Sequence, residues 1–273
     1  DPTAAAALGP EPQGGGPMTV RMVAGPAGAL CLDDGGSGAS AVLFVHSLAG
    51  RAAHWSAALA HCRAHRRALA FDQRGHGRSA PLEGRAELAI ETLADDVRAV
   101  ADACGLRRFV LVGHSLGGGV ALAFAGAYPD RVERLLLVDP IGDGTQMPEA
   151  ELQPFLDRLD SPAYLPTIES YWGTIAGPDA AVRQRLLDDL RATPPATVLA
   201  GFRATLRFDP THALLRYRGP TLAVVTPAND APFSLHQVGR LPHRVVEGTG
   251  HWIQLDRPAE FARLLDGFLE APA

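Results

Sequence analysis

From Met18 onward, short apolar runs alternate with longer stretches in which apolar residues recur every three or four positions. The short runs are "ALCL", "AVLFVH" (41–46), "RALAFD" (67–72), "RFVLVG" (108–113), "RLLLVD" (134–139), "TLAVVT" (221–226) and "HRVVEG" (243–248). They are rich in branched residues, bounded by turn or charged residues, and lack polar alternation, as expected of strands covered on both faces. Between them, "ETLADDVRAVADACG" (91–105) spaces Leu93, Val97, Val100 and Ala101 along one helical stripe and stops at Gly105. "PAEFARLLDGFL" (258–269) starts with a proline suited to a first helical turn and aligns Phe261, Leu264, Leu265 and Phe268. Strands alternating with helices predict an α/β fold, a mostly parallel central sheet flanked by helices.

The alternation lapses in one region. Residues 141–216 carry no strand pattern, many prolines, and helical pieces such as "DAAVRQRLLDDLRA". They read as a helical cap inserted into a core made of residues 18–140 and 217–273. The first 17 residues, rich in Ala, Gly and Pro, read as a flexible tail that buries too little apolar surface to fold alone.

Composition narrows the function classes. A chain of 273 residues with 47% hydrophobic content supports a sizeable core. A net charge of −5 gives no electrostatic footprint for nucleic acid or an anionic membrane surface. All 25 cationic side chains are arginine, which excludes a lysine Schiff base, a lysine general base and a P-loop. No apolar run reaches the ~18 residues of a membrane span, and a cytoplasmic location is expected. Cys31, Cys62 and Cys104 have neither disulfide-framework nor metal-ligand spacing and read as buried thiols.

Candidate chemistry centres on "GHSLG" (113–117), between the strand ending at Gly113 and a Gly/Ala-rich helix. A serine on so sharp a turn exposes its Oγ, needs small residues two positions either side, and lies at the positive end of the following helix. Ser115 is therefore the candidate nucleophile, and it requires a base held by a third group. Among ten histidines, His251 follows the last predicted strand in a glycine-rich loop. His46 ends a strand where an oxyanion loop is expected, and His114 is expected to point away from the site. His61 and His65 share a helix face but lack a third metal ligand. For the acid, Asp230 in "TPANDAPF" is preferred, and Asp139, closing "RLLLVD" before Pro140, is the alternative. Backbone N–H groups of Leu116 and of the loop "HSLAG", at Leu48, are the expected oxyanion donors.

Taken together, "FVHSLAG", "FDQRGHGRS" (71–79), "VGHSLGG" and "GTGHWIQLDRPAEF" resemble the α/β-hydrolase superfamily, in its lidded serine hydrolase branch. The resemblance spans about residues 19–270 and implies acyl transfer through Ser115, His251 and an aspartate, with no cofactor and no metal. It implies loop-bracing roles for Asp72, Arg74 and Ser79. One departure is Ser47, where the family usually has glycine. The cap then shapes the pocket, with Tyr164, Tyr171, Trp172, Phe202 and Phe208 as candidates beside Ser47 and Trp252. The expected partners are water and a small to medium, mostly uncharged ester or lactone, with neither nucleic acid nor membrane. Because Trp252 follows the histidine, the chain also resembles relatives that hydrolyse carbon–carbon bonds in ring-fission diketones. A perhydrolase and a non-enzymatic ligand sensor are further readings.

Overall fold

The run Ala41–Val45 has no polar residue and is buried along its whole length. Alternate side chains of a strand leave on opposite faces, and here each face meets its own apolar layer. Leu43 and Val45 join a cluster with Leu93, Val97, Val120 and Phe124, whereas Val42 and Phe44 join one with Trp55, Leu59, Phe261 and Leu265. That double coverage explains why the central strands read as unbroken hydrophobic runs.

A computed structural model describes residues 19–83 and 87–272; the tail expected over 1–17 lies outside the described residues. The strands are β1 (Thr19–Gly25), β2 (Gly28–Gly35), β3 (Ala41–Val45), β4 (Arg67–Phe71), β5 (Phe109–His114), β6 (Val132–Val138), β7 (Thr221–Val225) and β8 (His243–Val245). They form one sheet in the order β1-β2-β4-β3-β5-β6-β7-β8. The pairs β1/β2 and β2/β4 are antiparallel, and every other pair is parallel. Helices α1 (Ser56–Arg63), α2 (Ile90–Ala103) and α3 (Leu116–Ala127) follow β3, β4 and β5.

Between β6 and β7 the chain is helical: α4 (Glu149–Leu159), α5 (Tyr164–Ile175), α6 (Ala180–Ala192), α7 (Pro195–Arg207) and α8 (Thr211–Arg216). Leu156, Ile168, Trp172, Leu186, Leu190 and Val198 from these helices, and Phe208 directly after α7, belong to the same apolar cluster as the α2–α3 face of the sheet. Short helices α9 (Leu235–Val238) and α10 (Ile253–Asp256) and the amphipathic α11 (Pro258–Glu270) complete the chain. Because β3 and β5 to β8 run parallel, His46, Ser115, Asp139, Thr226 and His251 all follow the carboxyl ends of neighbouring strands or the loop after the last one. That is where open parallel sheets place ligand sites.

Candidate active site

Ser115 links β5 to α3 and holds φ 55° and ψ −119°. A non-glycine residue in this region carries a strain of about 1–3 kcal/mol. Its neighbours make the turn sterically feasible. A Cβ at Gly113 would be driven into the Gly117 carbonyl, and one at Gly117 into the carbonyls of Val45 and His46. Gly118 is closed off by Pro140, whose Cβ would lie 2.8 Å from an added methyl carbon. The backbone is then locked by Ser115 N–H donating to the Val138 carbonyl at 3.0 Å and by Gly118 N–H donating to the Ser115 carbonyl at 2.8 Å.

The loop after β3 is braced by two buried histidines. His46 accepts the Gln73 N–H on Nε2 at 2.9 Å and donates from Nδ1 to the Ser47 carbonyl at 2.7 Å. His76 accepts the Ala49 N–H on Nε2 at 3.1 Å and donates from Nδ1 to the Arg74 carbonyl at 3.0 Å. Each ring thus has one donor and one acceptor satisfied, which suits the neutral imidazole. Burial enforces that state, pushing His76 down to about 4 and His46 well below its ordinary value. The same loop is tied through Asp72, whose carboxylate accepts the Ala52 N–H at 2.7 Å and the Arg78 N–H at 2.9 Å. Arg74 forms a two-pronged pair with Asp96 at 2.6 Å, and Ser79 Oγ bridges the Cys31 N–H and the Asp72 carbonyl.

His251 Nδ1 meets Asp139 Oδ2 at 2.6 Å, and this corrects the preference for Asp230. The Asp230 side chain is largely exposed; it accepts from Gln237 Nε2 at 2.6 Å, and its ion-pair neighbour is His236 at 3.8 Å. Asp139 is buried, with φ 40°, and its Oδ1 also accepts the Thr226 N–H at 2.8 Å and Asn229 Nδ2 at 3.2 Å. Burial alone would raise the Asp139 pKa. The hydrogen bond and charge of His251, with the Thr226 N–H, outweigh it and hold the carboxyl below its usual range.

His114, expected to point away, is part of this support. Its Nε2 donates to the His251 carbonyl at 2.8 Å, its Nδ1 accepts from Gln254 at 3.2 Å, and the two imidazole centroids lie 4.7 Å apart. The His251 loop is also held from the helical insertion, by His251 N–H donating to the Ile175 carbonyl at 2.8 Å. Asp256 accepts the Gly250 N–H at 2.7 Å.

Ser115, Leu48, Leu116, Asp139 and His251 all line one cavity of about 550 Å³. Ser115 and His251 meet there without a direct hydrogen bond between their side chains. The cavity also takes in Ser47, Tyr171, Trp172, Phe202 and Trp252. Two expected pocket residues lie elsewhere. Tyr164 packs at the edge of the apolar cluster, where burial pushes its phenol up to about 12, and Phe208 is buried in the core. Among the described residues, Asp139 is the charge-bearing side chain on the cavity wall apart from His251. Among the described residues no group of three His, Cys, Asp or Glu side chains converges on a metal position, and His61 instead pairs with Asp266 at 2.8 Å. Thr226, Asn229, His76 and Gln254 were not singled out by sequence. His76 and Gln254 stood inside motifs already quoted, whereas the placing of Thr226 and Asn229 beside Asp139 depends on the pairing of β6 with β7.

A family model described as the alpha/beta hydrolase fold matches residues 40–258. An uncharacterized protein of Mycobacterium tuberculosis is 28% identical, covering 86% of this chain and 76% of that protein. The sn-1-specific diacylglycerol lipase of Mus musculus is also 28% identical, covering 86% of this chain and 83% of that one. The crystal structure of the enol-lactonase from Burkholderia xenovorans LB400 superposes with a TM-score of 0.78 at 19% identity, over 92% of this chain and all of that one. No helix among the described residues is long and apolar enough to cross a membrane.

Proposed function

This chain belongs to the alpha/beta hydrolase family, and from that premise we propose that it is a serine hydrolase cleaving a small to medium, mostly uncharged carboxylic ester or lactone. The observation that carries the reading is the strained Ser115 elbow opening on the same cavity as the His251–Asp139 pair. In the proposed cycle Ser115 Oγ attacks the carbonyl carbon while His251 Nε2 takes its proton. Asp139 holds the ring by Nδ1 and stabilises the imidazolium. Neither the Leu48 nor the Leu116 N–H donates to an acceptor among the described residues, and both are offered to the oxyanion. His251 returns the proton to the leaving oxygen, and water repeats the sequence on the acyl-enzyme.

Substrate class follows from the wall of the cavity. Tyr171, Trp172 and Phe202 from α5 and α7 line it as a lid would, and among the described residues no arginine reaches it. A substrate carboxylate would therefore meet Asp139 without a counter-ion, which weighs against a ring-fission diketone acid and for a neutral acyl group. The lipase and enol-lactonase among the similar proteins act on esters and lactones, in keeping with that chemistry. The test is labelling by a fluorophosphonate probe together with a panel of p-nitrophenyl esters, lactones and diketones. We expect labelling and ester turnover in the native protein and neither in Ser115→Ala; full turnover by that variant refutes the reading.

A further inference from the structure

One polar side chain in the cavity wall has no role in the cycle above. Ser47 is buried, lines the cavity, and directly precedes Leu48. Its carbonyl is tied back by the Gly50 N–H at 3.0 Å and by His46 Nδ1 at 2.7 Å. Its Oγ accepts the indole N–H of Trp252 at 3.3 Å. A hydroxyl has one donor and two lone pairs, and among the described residues the Ser47 O–H finds no acceptor. A buried donor left without an acceptor is unfavourable. The ready acceptor is an oxygen of whatever occupies the cavity. Trp252 matters here because it takes up a lone pair and leaves the proton to be directed inward. It also stands next to His251, so it joins the base segment to the oxyanion loop.

We propose that Ser47 donates a side-chain hydrogen bond to the substrate oxyanion, and that Trp252 is the residue positioning it; this rests on the serine hydrolase reading. As the Ser115 Oγ–carbon bond forms, the carbonyl π pair moves onto oxygen, and the Ser115 proton passes to His251 Nε2. The oxyanion then receives three hydrogen bonds, from the Leu48 and Leu116 N–H groups and from the Ser47 O–H. Ser47 keeps its proton throughout. Collapse restores the carbonyl and expels the alkoxide, which takes the proton from His251.

The experiment compares the native protein with Ser47→Ala, Ser47→Thr and Trp252→Phe on a p-nitrophenyl ester and its thiono analogue, whose sulfur accepts hydrogen bonds poorly. Ser47→Ala should lower kcat on the oxygen ester by about 100- to 1,000-fold with KM nearly unchanged, and lower it much less on the thionoester. Ser47→Thr should restore most of the loss, and Trp252→Phe should show a smaller fall of the same kind. If the alanine variant melts at markedly lower temperature, Ser47→Gly replaces it in the comparison. An unchanged kcat, or equal losses on both esters, overturns the proposal. A Ser115→Ala protein that still turns over both esters fails the serine hydrolase reading itself, whereas an inactive Ser115→Ala beside an undiminished Ser47→Ala removes the Ser47 role alone.

Discussion

Ser115 and Asp139 both hold positive φ angles, at 55° and 40°, and both follow the carboxyl end of a central strand. Strain of this kind persists only where surrounding contacts over-determine the backbone, and here Gly113, Gly117 and Pro140 supply them. Replacing Gly117 by alanine would drive a methyl into the carbonyls of Val45 and His46; we expect a loss of the proposed esterase activity of at least 100-fold and a lowered melting temperature, read from steady-state kinetics and calorimetry. The acid separates cleanly by substitution. Asp139→Asn should reduce kcat by about 10⁴-fold, the order found when the aspartate of such a triad is changed to its amide, while Asp230→Asn should leave kcat within about threefold. That Ser115 stands on a strand-to-helix turn and His251 in a loop opening on the same cavity was legible in the sequence, because glycine spacing and chain order mark both positions. The choice between the two aspartates was not, because it turns on a backbone twist after Val138 and on hydrogen bonds from Thr226 and Asn229, which no local pattern encodes.

At the scale of elements, buried runs such as β3 and β5 were plain in the hydrophobic pattern, whereas β1 was missed. Its positions are mostly exposed, with Val20 46% and Met22 51% accessible, so it shows neither a buried run nor clean alternation. The bracing of the site by arginine was visible only as a motif. In the structure Asp96, on α2, is buried and receives both prongs of Arg74, yet burial is the larger influence and its pKa is raised in spite of the pair. Removing one partner of such a pair leaves an unpaired charge, at a cost of about 3–5 kcal/mol. Asp96→Ala should therefore lower the urea midpoint by that order in free energy with an unchanged slope, and the folded fraction should retain ester turnover, since Arg74 does not line the cavity.

For the whole molecule, three fully buried histidines, His46, His76 and His114, are held neutral by burial. An unfolded histidine titrates near 6.5, so their folded values lie below the unfolded one. Between those values the unfolded chain binds more protons, and stability falls as pH drops. For His76 the window runs from about 6.5 down to about 4; above it the contribution is constant, and below it the loss is complete. Each such group costs up to ~1.4 kcal/mol per pH unit inside its window. Denaturant unfolding at pH 7 and pH 5 should show a clear drop, and the drop should shrink in a His76→Gln variant. An equal drop in both proteins would place the acid sensitivity elsewhere.

The bond from the His251 N–H to the Ile175 carbonyl bears on how this protein can be altered. Thr174 and Ile175 at the end of α5, with Ala176 directly after it, line the cavity, and the Ile175 carbonyl holds the His251 backbone. Gly250 meets Ala176 and Gly177 so closely that even a methyl group on it would collide with their backbone. The helical segment between β6 and β7 is therefore tied to the His251 loop and is not an interchangeable module. A transplanted insertion that widens or narrows the cavity must still present a carbonyl and a bare backbone at 175–177, or the His251 loop loses its anchor along with the change in cavity shape.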